Sequence, residues 1–314
     1  MLIPSLLVIC GFIMLGAGAE FMVAGSSRLA IRIGISPLIV GLTIVAFGTS
    51  APELAVSIKS TTEDYSALGN VIGSNIANIG LVLGITALIS PIRIEKQLVR
   101  TQIPVVIVAS VFMGVLLLDG ELNLTDGAML SIALLIYLYA NFRQADKEFE
   151  RDELDIHPTL AAKEAGQTSF NFILIISGLA LLVFGSQVFV DNAVTLARVI
   201  GFSEALIGLT LIAIGTSIPE LATSIVAATR RQSDIAVGNI VGSNVFNILC
   251  VLGITALISP IAGNQFSTTD FAVMILFSSI LLPLAWTNLT LSRTEGMFLL
   301  AGYVVYLVFV TQQA

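Results

Sequence analysis

The sequence predicts an all-α membrane protein: ten transmembrane helices built as two inverted five-helix repeats, with both termini outside. Three observations predict it. The chain is 56% hydrophobic and only 11% charged over 314 residues, where a soluble domain carries roughly 25% charged residues. Two stretches occur twice. GLTIVAFGTSAPE at Gly41–Glu53 returns as GLTLIAIGTSIPE at Gly208–Glu220, and GNVIGSNIANIGLVLGITALISPI at Gly69–Ile92 returns as GNIVGSNVFNILCVLGITALISPI at Gly238–Ile261. The first pair agrees at nine of thirteen positions and the second at eighteen of twenty-four, which marks an internal duplication. Finally, the basic residues fall almost entirely on one set of alternate loops.

A helix needs about 20 apolar residues to cross the hydrocarbon. The runs that meet this in the first half are Pro4–Gly25, Pro37–Ile58, Leu68–Ser90, Gln102–Leu118 and Leu124–Phe142. In the second half they are Phe170–Asp191, Glu204–Ala228, Ala236–Ser259, Thr268–Trp286 and Glu295–Val310. No Lys or Arg precedes Arg28, so the first run lacks the basic start of a cleaved signal peptide and is expected to stay as a span. With the N-terminus outside, the inside loops hold Arg28, Arg32, Arg93, Lys96, Arg100, Arg143, Lys147, Arg151, Lys163, Arg230, Arg231 and Arg293. The outside loops hold only Lys59 and Arg198. Cytoplasmic loops carry the basic excess, and a miscounted span would scramble the split.

Residues 1–142 then form the first repeat, 143–169 a polar cytoplasmic linker that carries the single histidine, His157, and 170–314 the second repeat. Five spans is an odd number, so the second repeat begins on the opposite side of the membrane. The span with Glu53 runs inside to outside and the span with Glu220 runs back. Inverted repeats with binding at the midplane mark secondary transporters.

A carboxylate inside an apolar span is costly and functional by default, and each repeat has one. On a helix over Pro37–Ile58, Ala46, Thr49, Ser50 and Glu53 share a face. Pro52 lacks the N–H that would bond the Gly48 carbonyl, so the helix bends and frees backbone oxygens beside Glu53. Ala213, Thr216, Ser217, Pro219 and Glu220 repeat the arrangement. The following helices supply Asn70, Ser74 and Asn78, and again Asn239, Ser243 and Asn247, every four residues. Gly69, Gly73, Ala77, Gly80 and Gly84 offer small surfaces for close helix approach. The second copy has Phe246 and Leu249 where the first has Ala77 and Gly80.

All these donors are hard oxygens. No Cys or His joins them, which argues against zinc or copper. Calcium takes about 6–8 oxygens in flexible geometry, and two carboxylates balance one divalent cation; the same oxygens suit several sodium ions. No Lys or Arg lies in these four spans to hold an anion. Ser, Thr and Asn also serve as glue between membrane helices, and Asn75 and Asn244 fit that role as well as a functional one. Glu20 and Asp191 lie toward span ends, where snorkelling suffices. Cys10 and Cys250 read as small buried hydrophobes. A net charge of −7 argues against a nucleic-acid partner. An intramembrane hydrolase using the two glutamates as acid and base lacks any accompanying nucleophile–base pair; a cation channel is a further rival.

At these residues the chain resembles the calcium/cation antiporter superfamily, in particular its prokaryotic sodium/calcium exchanger branch. The resemblance covers all ten spans and rests on G-T-S-x-P-E paired with G-N-x-x-G-S-N, twice. It implies a multi-pass antiporter of the cell membrane that exchanges Na+ for Ca2+ and needs no cofactor, with lipid as its surroundings; a monomer is the working expectation, though the sequence itself carries no signal for oligomeric state. Four ion sites midway across the membrane are implied. Glu53 and Glu220 would be the central ligands, and Thr49 and Thr216 would add oxygens to calcium. Ala46, Ser50 and Ser74 would form an inward sodium site; Ala213, Thr216, Ser217 and Ser243 an outward one. Asn78 and Asn247 would flank the middle. Some relatives carry Asp where this chain has Asn247, so potassium dependence is less expected here. Proton/calcium exchange stays open as an alternative. The resemblance also implies that the first and sixth helices slide over the ion-holding core, a role that Gly16, Gly18, Gly25, Gly178 and Gly185 fit as well as they fit plain packing.

Overall fold

The computed structural model describes residues 1–59, 67–152, 168–202, 213–263 and 268–313. Its helices are α1 (Leu2–Ile33), α2 (Pro37–Lys59), α3 (Ala67–Ile89), α4 (Leu98–Asp119), α5 (Leu124–Asp152), α6 (Thr168–Ile200), α7 (Ile218–Thr229), α8 (Ser233–Ile258), α9 (Thr268–Trp286) and α10 (Arg293–Gln313). Among the described residues nine are long and apolar enough to cross a membrane. The exception is α7. The expected span Glu204–Ala228 lies partly outside the described residues, which pick it up at the short turn Ala213–Gly215.

Two spans are longer than the sequence suggested. α1 continues eight residues past Gly25 to Ile33, and α6 runs to Ile200 rather than Asp191. Polar residues on one face do not end a helix, and here the stops come from glycine. Gly34 takes the left-handed cap at φ 72° and Gly201 sits at φ 97°, conformations that only glycine adopts freely. Likewise α5 runs into the polar linker as far as Asp152.

Helix starts follow their caps. Ser36 accepts the Ile39 N–H at 3.4 Å with Pro37 in the first turn. The last span of each predicted repeat opens on a reciprocal cap. Asn123 N–H donates to Asp126 while Asp126 N–H returns to Asn123 Oδ1, and Ser292 and Glu295 do the same for α10.

Burial separates centre from rim. Within their most apolar stretches, 89% of α8, 72% of α3 and 61% of α2 are buried, against 22% for α1 and 17% for α10. The rim helices turn large apolar side chains outward, including Phe12, Val108, Ile136, Phe184 and Val305. This suits lipid rather than water. Cys10 belongs to that outer face and is exposed, whereas Cys250 is buried. The chain is thus all-helical with an inside-out distribution of polarity, apart from two short antiparallel pairs. β1 (Ile92–Arg93) pairs with β4 (Thr290–Leu291), and β2 (Glu121–Leu122) pairs with β3 (Ile261–Ala262). Each joins the end of a central helix of one half to the turn before the last span of the other.

Candidate ion-binding site

The GTSxPE segments do what their prolines dictate. In α2 the helical turn Ala46–Thr49 stops at Ser50, with φ −82° and ψ 2°, and resumes at Ala51. In the second copy Ser217, at φ −87° and ψ 4°, precedes Ile218–Thr229. Both breaks fall in the sparsely populated bridge region common at functional sites. They put Glu53 and Glu220 in the first turn of a new helix, where the positive end of the dipole favours a carboxylate.

Both carboxylates are fully buried. The two halves interlock around them. Ser50 Oγ, from the first copy, donates to Glu220 Oε1 at 3.4 Å, and Ser243 Oγ donates to the same oxygen at 3.3 Å. Thr49 Oγ1 stands 3.3 Å from Ser243 Oγ and donates to Asn239 Oδ1 at 3.0 Å or to the Ala46 carbonyl at 3.3 Å. Ser74 and Thr216 hydroxyls lie 3.4 Å apart. Asn70 Nδ2 donates to the Glu53 carbonyl at 3.3 Å and to Ser57 Oγ at 3.0 Å. Asn239 Nδ2 donates to Ser224 Oγ, the counterpart of Ser57, at 3.2 Å.

Further along α3 and α8, Asn78 Nδ2 donates to Asn244 Oδ1 and Asn247 Nδ2 to Asn75 Oδ1, each at 3.1 Å. Both Asn78 and Asn247 open a π-helical stretch, Asn78–Leu83 and Asn247–Leu252. Widened turns of this kind recur at functional sites. Sequence reasoning missed them, because asparagine and the closing Gly84 and Gly253 fit an ordinary α-helix equally well.

Several buried oxygens here have no hydrogen-bond partner: Glu53 Oε1 and Oε2, Glu220 Oε2, Ser217 Oγ, Asn78 Oδ1 and Asn247 Oδ1. A buried unsatisfied polar group costs about 1–3 kcal/mol, so this concentration demands an explanation. All six are acceptors or hydroxyls, the donor set of a hard cation. Among the described residues no group of three or more His, Cys, Asp or Glu occurs, so two carboxylates and otherwise neutral oxygens meet any cation held there. A cavity of about 380 Å³ between α4 and α5 is a separate feature, walled by Val105, Phe112, Ile136 and Tyr137.

Hydrogen bonds tie Thr49, Ser50, Glu220 and Ser243 into one set, Ser74 and Thr216 into a pair, and Asn78 and Asn247 into the asparagine set, and Glu53 is buried. Ala46 contributes its carbonyl as above. Ala213 opens the short turn before Thr216. Glu20 is half-exposed and forms a salt bridge to Arg230 just past the end of α7. The glycine expectations are sorted as well. A Cβ on Gly18, Gly25, Gly178 or Gly185 would come within 2.6–2.9 Å of the facing long helix, whereas Gly16 and Gly73 face open space. Gly11, not singled out from the sequence, belongs to the same α1–α6 contact.

The model of the family described as "Sodium/calcium exchanger protein" matches residues 3–143 and 170–312. The chain is 37% identical to "Inner membrane protein YrbG" of Escherichia coli (strain K12), over 98% of this chain and 96% of that one. It is 32% identical to "Sodium/calcium exchanger MaX1" of Methanosarcina acetivorans, over 96% and 97%. Among solved structures, the sodium-calcium exchanger NCX_Mj soaked with zero Na+ and Ca2+ superposes with a TM-score of 0.84 at 32% identity, over 98% of this chain and 99% of that one.

Proposed function

The chain belongs to the sodium/calcium exchanger protein family, a family of transporters and not of enzymes, and we propose that it exchanges Na+ for Ca2+ across the cell membrane by alternating access. Glu53 and Glu220 bind the ions at mid-depth. Thr49, Thr216, Ser50, Ser217, Ser74, Ser243, Asn78, Asn247 and the carbonyls of Ala46 and Ala213 complete the ligand set. The observation that carries this reading is the cluster of unpartnered buried oxygens. Hydrogen bonds alone leave them unsatisfied, and a dehydrated cation would satisfy them together.

The charge arithmetic follows. Two carboxylates neutralise one calcium ion, while three sodium ions exceed them by one charge, so exchange at that ratio moves net charge. Both carboxylates come from one chain, which supports a monomer as the working unit.

Ten spans in two inverted five-helix repeats, at 1–142 and 170–314 around a cytoplasmic linker at 143–169, are supported by the strand pairs. β1 pairs with β4 and β2 with β3, so the two strands of each pair lie on one membrane face. An even number of crossings must therefore separate β1 from β4. Helices α4, α5, α6, α8 and α9 make five, and the segment that ends in α7 supplies the sixth. Equivalent loops of the two repeats, β1 and β3 after the third span and β2 and β4 before the fifth, fall in different pairs, as inversion requires. The distribution of Lys and Arg supports both termini outside.

Alternating access has a mechanical basis in α1 and α6. Their mutual contact is backbone to backbone through glycine, so they move as a pair. They meet the core mainly through side chains: Gly48 faces Met22 and Leu179, and Gly215 faces Val190. Against these side-chain contacts, the Ser186 hydroxyl donates to the Gly215 carbonyl at 2.9 Å and would have to release it as α6 slides.

The test is calcium uptake into vesicles carrying the purified chain, driven in turn by sodium, potassium and proton gradients. Outward sodium gradients are expected to drive uptake, and potassium is expected to add nothing. Calcium movement indifferent to sodium but driven by protons would replace sodium with protons as the coupling ion.

A further inference from the structure

We infer that Asn75 and Asn244 are positioning residues that fix which end of the Asn78 and Asn247 amides faces the ions. The inference rests on the reading of the cluster as a cation site. A carboxamide has two faces of opposite polarity: its oxygen attracts a cation and its NH2 repels one. An asparagine is therefore a useful ligand only if its NH2 is given an acceptor elsewhere.

The structure supplies that acceptor twice, across the repeats. Asn247 Nδ2 donates to Asn75 Oδ1 and Asn78 Nδ2 donates to Asn244 Oδ1, each at 3.1 Å. In both cases Oδ1 is left buried and without a partner. Asn75 is itself held. Its Nδ2 donates to the Asn244 carbonyl at 3.4 Å and lies 3.7 Å from the Met274 sulfur, which keeps its own Oδ1 turned toward Asn247. All four side chains are no more than 1% exposed, so water does not compete for the amides. The four asparagines form a cross-brace in which α3 orients a ligand on α8 and α8 orients a ligand on α3; only Asn75 is itself anchored, since Asn244 Nδ2 has no partner. Interhelical glue would require hydrogen bonds between these helices but would place no condition on which atom of Asn78 and Asn247 is left over.

The test is a pair of double-mutant cycles read by calcium titration calorimetry on the purified chain and by calcium uptake in vesicles. Asn75→Ala and Asn244→Ala should each weaken calcium binding roughly 10–100-fold, the usual effect of removing the partner that orients a ligand. Each is then combined with a carboxylate at the residue it orients, Asn75→Ala with Asn247→Asp and Asn244→Ala with Asn78→Asp. A carboxylate has no NH2 to turn away, so in those backgrounds the alanine change should cost less than about twofold. An equal loss in both backgrounds would show that the asparagines only pack, and overturns the inference. So does unchanged calcium binding in the single variants while the native chain binds calcium. A native chain that binds no calcium at all would overturn the ion-site reading and this inference with it.

Discussion

Around Glu220, one carboxylate oxygen takes hydroxyl protons from Ser50 and Ser243; around Glu53, neither oxygen has a partner. The two glutamates hold the same place in the same motif, so the difference comes from what the other half presents to each. Ser50 reaches across to Glu220, but its counterpart Ser217 keeps an unpartnered hydroxyl. Ser243 and its counterpart Ser74 each lie against a threonine of the other repeat, Thr49 and Thr216, but Ser243 also donates to Glu220. The walls behind the ligands diverge further. A Cβ on Gly80 would meet Tyr303 at 2.8 Å and Phe277 at 2.9 Å, whereas Leu249 fills the equivalent place on α8 and is buried. Phe246 replaces Ala77 and stacks obliquely on Phe47, with ring centroids 5.7 Å apart. Duplication supplies the candidate ligands twice; packing then makes the two halves unequal.

The largest expected effect tests whether both carboxylates are needed despite this asymmetry. Glu53→Gln and Glu220→Gln should each cut calcium uptake on the order of 100-fold or more, since losing one partner of a buried charged contact costs ~3–5 kcal/mol. Both variants should remain monodisperse on gel filtration. Transport surviving in one of them would remove that side chain from the site and reduce the comparison to a single functional half.

Exchanging the wall residues probes the packing difference. Gly80→Leu forces a side chain into Tyr303 and Phe277 and should cost about 1–3 kcal/mol by overpacking. Leu249→Gly opens a cavity and should cost about 2–5 kcal/mol, by the scale of Leu→Ala changes in cores. Thermal unfolding in detergent reads both. Tolerance of either exchange would mean that the halves are closer to equivalent than their contacts indicate.

The smallest effect separates the two serines. In ion-free buffer Ser50→Ala loses its bond to Glu220 and should destabilise by ~0.5–1.5 kcal/mol. Ser217→Ala removes a hydroxyl with no partner and should leave the unfolding midpoint unchanged or raised. Identical shifts would erase the distinction drawn between Glu53 and Glu220.

The candidate ligands were legible in the sequence because hydrocarbon is an unforgiving solvent. A glutamate, a proline and a run of Ser, Thr and Asn in an apolar span stand out against a background that excludes them. What those residues do to one another was not legible. Nothing in the order of residues says that Ser50 serves the glutamate of the other repeat, that Asn75 and Asn244 turn the amides beside them, or that Glu20 finds Arg230. Each of these pairs joins residues more than a hundred positions apart. The lengths of α1 and α6 were also missed, because their ends are set by the left-handed glycines Gly34 and Gly201 and not by loss of hydrophobicity.

The sequence by itself determined a multi-pass helical chain with a duplicated, oxygen-rich pair of acidic motifs, since composition, periodicity and repetition are local properties written into each segment. Only the tertiary structure decided which oxygens are spent on hydrogen bonds and which are left without a partner. That choice depends on how α3 and α8 cross, and on contacts between halves whose distance along the chain hides them. An oxygen without a neighbour is a fact about three-dimensional packing, and no count of residues contains it.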